Sequence, residues 1–274
     1  MSNFLEVSRK ELLDLVYNPI MLVMLFTYLL VMAVYFVDSY DHLITRGFNS
    51  NSYAFLSGLL VIFTQYGSIV GIVLGYLSLS SEKNRGTMNV LIAKPLYRDT
   101  MINGKFLGCT VFIFCLLVLS SIVYLILGLL FMGSITGPMM FIYLEKLPVI
   151  ILLSILCIMP CYSFSFLMSL LIKKDAFALF VSILFWIFMF HILPNVAFSG
   201  NLSLLFGGYS EEQDRLMDFI ALLSPTSMVA SIFHYNPDFN GILFDSSFHI
   251  FKLCLYVVVL VVSCYIVFLR RDIV

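Results

Sequence analysis

Six long runs without a charged residue constrain this chain more than any other feature: Ile20 to Val37, Phe55 to Leu79, Phe106 to Met132, Leu147 to Ile172, Ala176 to Leu193 and Leu253 to Leu269. Crossing about 30 Å of hydrocarbon at about 1.5 Å per residue takes about 20 residues, and each run is of that order. The runs are continuously apolar, without the alternation of a barrel strand, so helices are expected. Of the 274 residues 61% are hydrophobic and only 11% charged, more apolar surface than a soluble domain of this size can bury.

The charges between the runs give an orientation. Eleven of the fifteen Lys and Arg residues fall on one side: Arg9, Lys10, Lys83, Arg85, Lys94, Arg98, Lys105, Lys173, Lys174, Arg270 and Arg271. Arg46, Lys146, Arg215 and Lys252 fall on the other. The positive-inside rule then expects both termini in the cytoplasm. A net charge of −1 gives no basic face for nucleic acid. The acidic and basic N-terminal stretch does not read as a signal peptide, so the first run is expected to stay in the protein. All six cysteines lie inside apolar runs and read as packing residues.

Before the first run, Phe4, Leu5, Leu12, Leu15 and Val16, with Ser8 between them, take one side of a helix, and Glu6, Arg9, Lys10 and Asp14 the other. That pattern predicts an interfacial helix, ended by Asn18 and Pro19. The expected architecture is an all-α membrane protein forming a single transmembrane domain over 1–274. It has the interfacial helix in 1–19, spans 1 and 2 in 20–79, a cytoplasmic segment in 80–105 and spans 3 to 5 in 106–193. An external segment with short helices follows in 194–252, then span 6 and a cytoplasmic tail in 253–274. In the external segment Ser224 and Pro225 predict the start of a short helix, too short to cross a bilayer, that can lie in the outer leaflet or dip into it.

The cytoplasmic segment is the first place to look for function. Gly86 breaks the preceding helix, Thr87 can cap a new one, and Pro95 ends it, so that Glu82, Arg85, Lys94 and Arg98 surround a short helix at the membrane surface. A solvated positive-inside loop is the other reading. In the second run Gly67, Gly71 and Gly75 recur every fourth residue beside Thr64, Gln65 and Ser68. Such a face suits close helix packing, within the subunit or at a dimer seam, or else a substrate path lined by the polar residues. Cys157 and Cys161, one turn apart with His191 on the next run, are soft enough for Cu(I), but Pro160 between them more simply marks a kink. No metal site and no catalytic residue is therefore assigned.

The residues Glu82, Gly86, Thr87, Leu91, Pro95, Arg98, Gly104 and Lys105 resemble the signature of ABC-2 type permeases. Arg9, Lys10, Glu11 and Leu12, the Leu223 to Thr226 stretch, and the closing Phe268 to Asp272 extend the resemblance along the whole chain. It is similar to the membrane subunit of the nitrous-oxide-reductase maturation transporter and to small multidrug or sodium exporters. The resemblance implies two copies of this subunit and two copies of a separate ABC-type ATPase, which carries the ATP and Mg. It implies that Glu82, Arg85, Gly86, Thr87, Leu91, Pro95 and Arg98 form a coupling helix seated on that ATPase, and that substrate is exported or flipped across the cytoplasmic membrane. Gly104 and Lys105 lack the upstream glycine spacing of a phosphate loop, so no ATP site is expected in this chain. The competing classes are a membrane-embedded enzyme and a channel or anchor that works without an ATPase.

Overall fold

In the structure, a computed structural model, the described residues are 2–46, 58–84, 98–132, 136–172, 174–194, 223–225, 227–229 and 247–270. They are helical throughout, apart from short turns, with no strand among them. Helix α1 is Ser2–Val16 and α2 is Pro19–Arg46. Helix α3 covers 58–84, with a π-turn at Ile62–Tyr66 leading into Gly67–Asn84. Then follow α4 (Arg98–Met132), α5 (Thr136–Leu171), α6 (Asp175–Ile187, continued by a π-turn at Phe188–Ile192) and α7 (Ser247–Arg270). Six of them, α2 to α7, are long and apolar enough to cross a membrane.

The joint between α1 and α2 follows from two residues. Asn18 accepts the Ile20 N–H on its Oδ1 at 3.0 Å, and Pro19 opens α2, where its missing N–H leaves no partner unsatisfied. Helix α5 is the shaft of the bundle and packs against α3, α4, α6 and α7. It runs unbroken through Pro148 and Pro160, each of which removes one main-chain hydrogen bond. Around Tyr162, aromatic edges lock α4 to α5: the Phe106 ring lies 5.1 Å from Tyr162 and 5.5 Å from Phe166. Outward, Val23, Phe26 and Val34 on α2, Phe177 and Phe180 on α6, and Val258 and Val262 on α7 are all exposed. In water such faces would aggregate; in lipid they are the solvent-facing surface.

The helices outrun the apolar runs at several ends. Helix α4 starts at Arg98, eight residues before the run at Phe106, and α3 continues to Asn84, so the segment expected over 80–105 narrows to 85–97. Helix α5 starts at Thr136 and not near Leu147, and Glu145 and Lys146 lie within it as a close pair, Nζ to Oε1 2.8 Å. Charge marks where hydrocarbon ends; it does not end a helix.

Candidate functional site

The root of the 85–97 segment is where α3 ends and α4 begins, and α1 is packed into that root. Its buried stripe comprises Ser8, Glu11 and Leu15, flanked by half-buried Phe4, Val7 and Leu12. Leu5 and Val16, expected on the same side, are exposed. The stripe meets two glycines one turn apart on α4. A Cβ on Gly104 would lie 2.6 Å from Val7 Cγ1, and one on Gly108 would lie 3.0 Å from the Ser8 carbonyl oxygen. Only glycine lets the two backbones come this close.

Between those glycines stands Lys105, 2% exposed and among the largest fully buried side chains. Its Nζ donates to Glu11 Oε2 at 2.9 Å, to the Ser78 carbonyl at 2.8 Å and to Ser78 Oγ at 3.3 Å. Ser78 Oγ in turn donates to Glu11 Oε1 at 2.7 Å. Both carboxylate oxygens and the ammonium are thus engaged, which is what a buried ion pair requires in order to persist. The knot ties α1 to α3 and α4, the two helices that hold the 85–97 segment at its ends. Beside it, Ser80 Oγ donates to Asp175 Oδ2 at 2.9 Å, linking the end of α3 to the start of α6.

Of the expected coupling residues, Arg85, Gly86, Thr87, Leu91 and Pro95 lie outside the described residues. Glu82 belongs to the last turn of α3 and Arg98 opens α4, and the short helix expected between Thr87 and Pro95 lies outside the described residues. Arg9 and Lys10 are exposed on α1, whereas Glu11 is buried on its opposite side. Sequence reading grouped Glu11 with its charged neighbours and passed over Ser78. The signal was present, since Glu11 stands three residues after Ser8 and four before Leu15, inside the buried stripe.

The glycine face of α3 packs on α5 of the same chain. A Cβ on Gly71 would lie 2.8 Å from Ile158 Cγ2 and 3.1 Å from the Ile158 carbonyl oxygen; on Gly75, 2.5 Å from the Tyr162 carbonyl oxygen; on Gly67, 2.7 Å from Ile158 Cδ1. Ser165 Oγ donates to the Ile72 carbonyl at 2.7 Å across the same seam. Thr64 and Ser68 are buried and turn their hydroxyls onto their own helix: Thr64 donates to the Leu60 carbonyl at 2.8 Å, and Ser68 to that of Thr64. Gln65, half-buried in the π-turn, offers its carbonyl to Trp186 Nε1 at 3.3 Å.

Successive spans run in opposite directions, so the end of α6 lies at the other end of the bundle. There the π-turn sends the Leu193 N–H to the Phe188 carbonyl, and the next residue, Pro194, has no N–H. Neither donor serves the Met189 carbonyl, and Ser224 Oγ does, at 2.7 Å. Ser224 is fully buried and accepts the Met228 N–H on its carbonyl, as a helix-starting residue does, while its hydroxyl donates across to α6. Tyr256 on α7 donates to the Leu223 carbonyl at 3.0 Å. Cys157 and Cys161 are buried free thiols, and Cys161 packs with Ile72 and Phe190. His191 is exposed against the Trp186 ring, and among the described residues no three His, Cys, Asp or Glu side chains converge as a metal site.

The family model of ABC-2 family transporter proteins matches residues 5–273. The chain belongs to the ABC-2 transporter family. No curated protein matches it. Membership accounts for an all-α, multi-pass membrane domain and makes this ABC-2 chain a membrane component of a transport system.

Proposed function

We propose that this ABC-2 chain is the permease subunit of an ATP-driven exporter or flippase in the cytoplasmic membrane, with both termini in the cytoplasm. Two copies of the chain work with two copies of a separate ABC-type ATPase, which binds ATP and Mg. The 85–97 segment, with Glu82 and Arg98 at its roots, docks on that ATPase, and closure of the ATPases moves the spans to carry substrate between the two copies. The observation that carries the reading is the buried Glu11, Lys105 and Ser78 knot. A loop with no mechanical task has no need of a desolvated ion pair clamping both its roots to a third helix. The eleven cations on the same side support the orientation.

Co-purification of a tagged ATPase with the permease tests this directly. Glu82→Lys or Arg98→Glu is expected to leave the permease folded and to weaken retention of the ATPase, by about 2 to 5 kcal/mol for a charge reversed in a desolvated contact. A rim contact would cost well under about 1 kcal/mol. Full retention and full ATP turnover by both variants would reduce the segment to a membrane anchor.

A further inference from the structure

We propose that Lys105 is a positioning residue that forces α1 to move with α3 and α4, so that displacement of the 85–97 segment by the ATPase reaches the N-terminal helix through the Lys105 ammonium. The proposal rests on the permease reading and adds a specific route.

The geometry makes this contact the one that sets register. Against α4, α1 rides on Gly104 and Gly108, which permit a close approach but present no knob to stop a slide. Apolar contact from Val7 and Leu12 is non-directional and tolerates a shift along the groove. The ion pair does not. Lys105 Nζ is bonded at once to Glu11 on α1 and to the carbonyl and hydroxyl of Ser78 on α3, and a displacement of α1 by one residue would strand two buried charges. Among the described residues, it is the ion pair that joins separate helices; the other joins the neighbours Glu145 and Lys146.

The knot is also close enough to the segment to follow it rigidly. Lys105 lies seven positions after Arg98 and Ser78 six before Asn84, roughly 10 Å along each helix, within two turns. Both roots are hydrogen-bonded helix, so little motion is lost on the way. On the far side of α1, Glu6, Arg9, Lys10 and Asp14 are exposed, away from the knot. That face gives α1 a second way to feel the ATPase, by direct contact, and the two routes make opposite predictions.

The test is peptide-resolved hydrogen exchange on the full complex of permease and ATPase, with and without a non-hydrolysable ATP analogue. In the wild type, amides of α1 and of the α3 and α4 roots are expected to change exchange rate on nucleotide addition, by roughly fivefold for a coupling of ordinary size. The double variant Glu11→Leu with Lys105→Met removes the pair without stranding a charge. It is expected to retain the ATPase and the response of the α3 and α4 roots, while the α1 response disappears. Lys105→Arg, which keeps cation and donors, is expected to restore it. An α1 response that persists in the double variant overturns the proposal in favour of direct contact. An α1 already unprotected before nucleotide overturns it too, because the pair is then only an anchor. A wild-type chain that holds no ATPase, or whose roots ignore nucleotide, defeats the permease reading itself, and does so without any variant.

Discussion

The two ends of the bundle solve the same problem, buried polar groups at the edge of hydrocarbon, in different chemistries. At the α1 end the solution is ionic and shared: Glu11, Lys105 and Ser78 satisfy one another across three helices, and none can leave without exposing the others. At the Pro194 end, apart from the Glu145 and Lys146 neighbours within α5, the described residues use single neutral hydrogen bonds to main-chain carbonyls, Ser224 to Met189, Tyr256 to Leu223 and Trp186 to Gln65. Each of those is worth about 1 kcal/mol net and can open alone. An ionic knot suits an end that must keep one register while it is pulled. Separate neutral bonds suit an end that must open in steps.

The seam between α3 and α5 is common to both ends, so breaking it should abolish the contrast. Helix α3 carries Ser78 at one end and the Gln65 carbonyl at the other, and Gly71 lies between them against the Ile158 backbone. Gly71→Leu has no room, because its first carbon alone would meet the Ile158 carbonyl oxygen at 3.1 Å. The cost should exceed the roughly 1 to 3 kcal/mol of ordinary overpacking. The expected result is loss of folded chain from detergent extracts. A folded monomer that merely fails to dimerise would place the glycine face at the seam between copies.

Lys105→Met should break the α1 end alone. It leaves the Glu11 carboxylate buried with only Ser78 as partner, a loss of about 3 to 5 kcal/mol. Adding Glu11→Leu should recover most of it, since an apolar pair of similar volume replaces the charges. Thermal unfolding of the three proteins in one detergent measures the cycle. Equal stability for the single and double variants would mean that water reaches Glu11, and the knot would lose its special standing.

That cycle also marks the limit of what was legible beforehand. The six spans could be read because the bilayer demands uninterrupted apolar length, a local property of each run. The ends of α4 and α5 could not, because Glu145 with Lys146 and the polar stretch from Arg98 to Lys105 are helical although they lie outside the apolar runs. Glu11 could not be assigned a partner, since Lys105 is 94 residues away and nothing local distinguishes it from Lys10. The glycine face was legible as packing, and which helix it met was not. Ser224 was read only as a helix start, and the Met189 carbonyl that takes its hydroxyl depends on a π-turn that periodicity does not reveal.

The smallest effect is the sharpest test of the contrast, and the chain contains its own reporter. Ser224→Ala removes one neutral donor from the part-buried Met189 carbonyl, which neither the Leu193 N–H, engaged elsewhere, nor Pro194, which has none, replaces. The expected cost is about 1 to 2 kcal/mol, below that of Lys105→Met. The only tryptophan, Trp186, stands beside the same π-turn, its ring 4.7 Å from that of His191 and 6.1 Å from that of Phe190. If the Pro194 end opens one bond at a time, Ser224→Ala should shift Trp186 emission at temperatures where the rest of the chain stays folded, and Lys105→Met should leave that emission unchanged until global unfolding. A Ser224→Ala variant whose tryptophan signal and whole-chain unfolding still coincide would show that the neutral end is as cooperative as the ionic one, and the division of labour between the two ends would be gone.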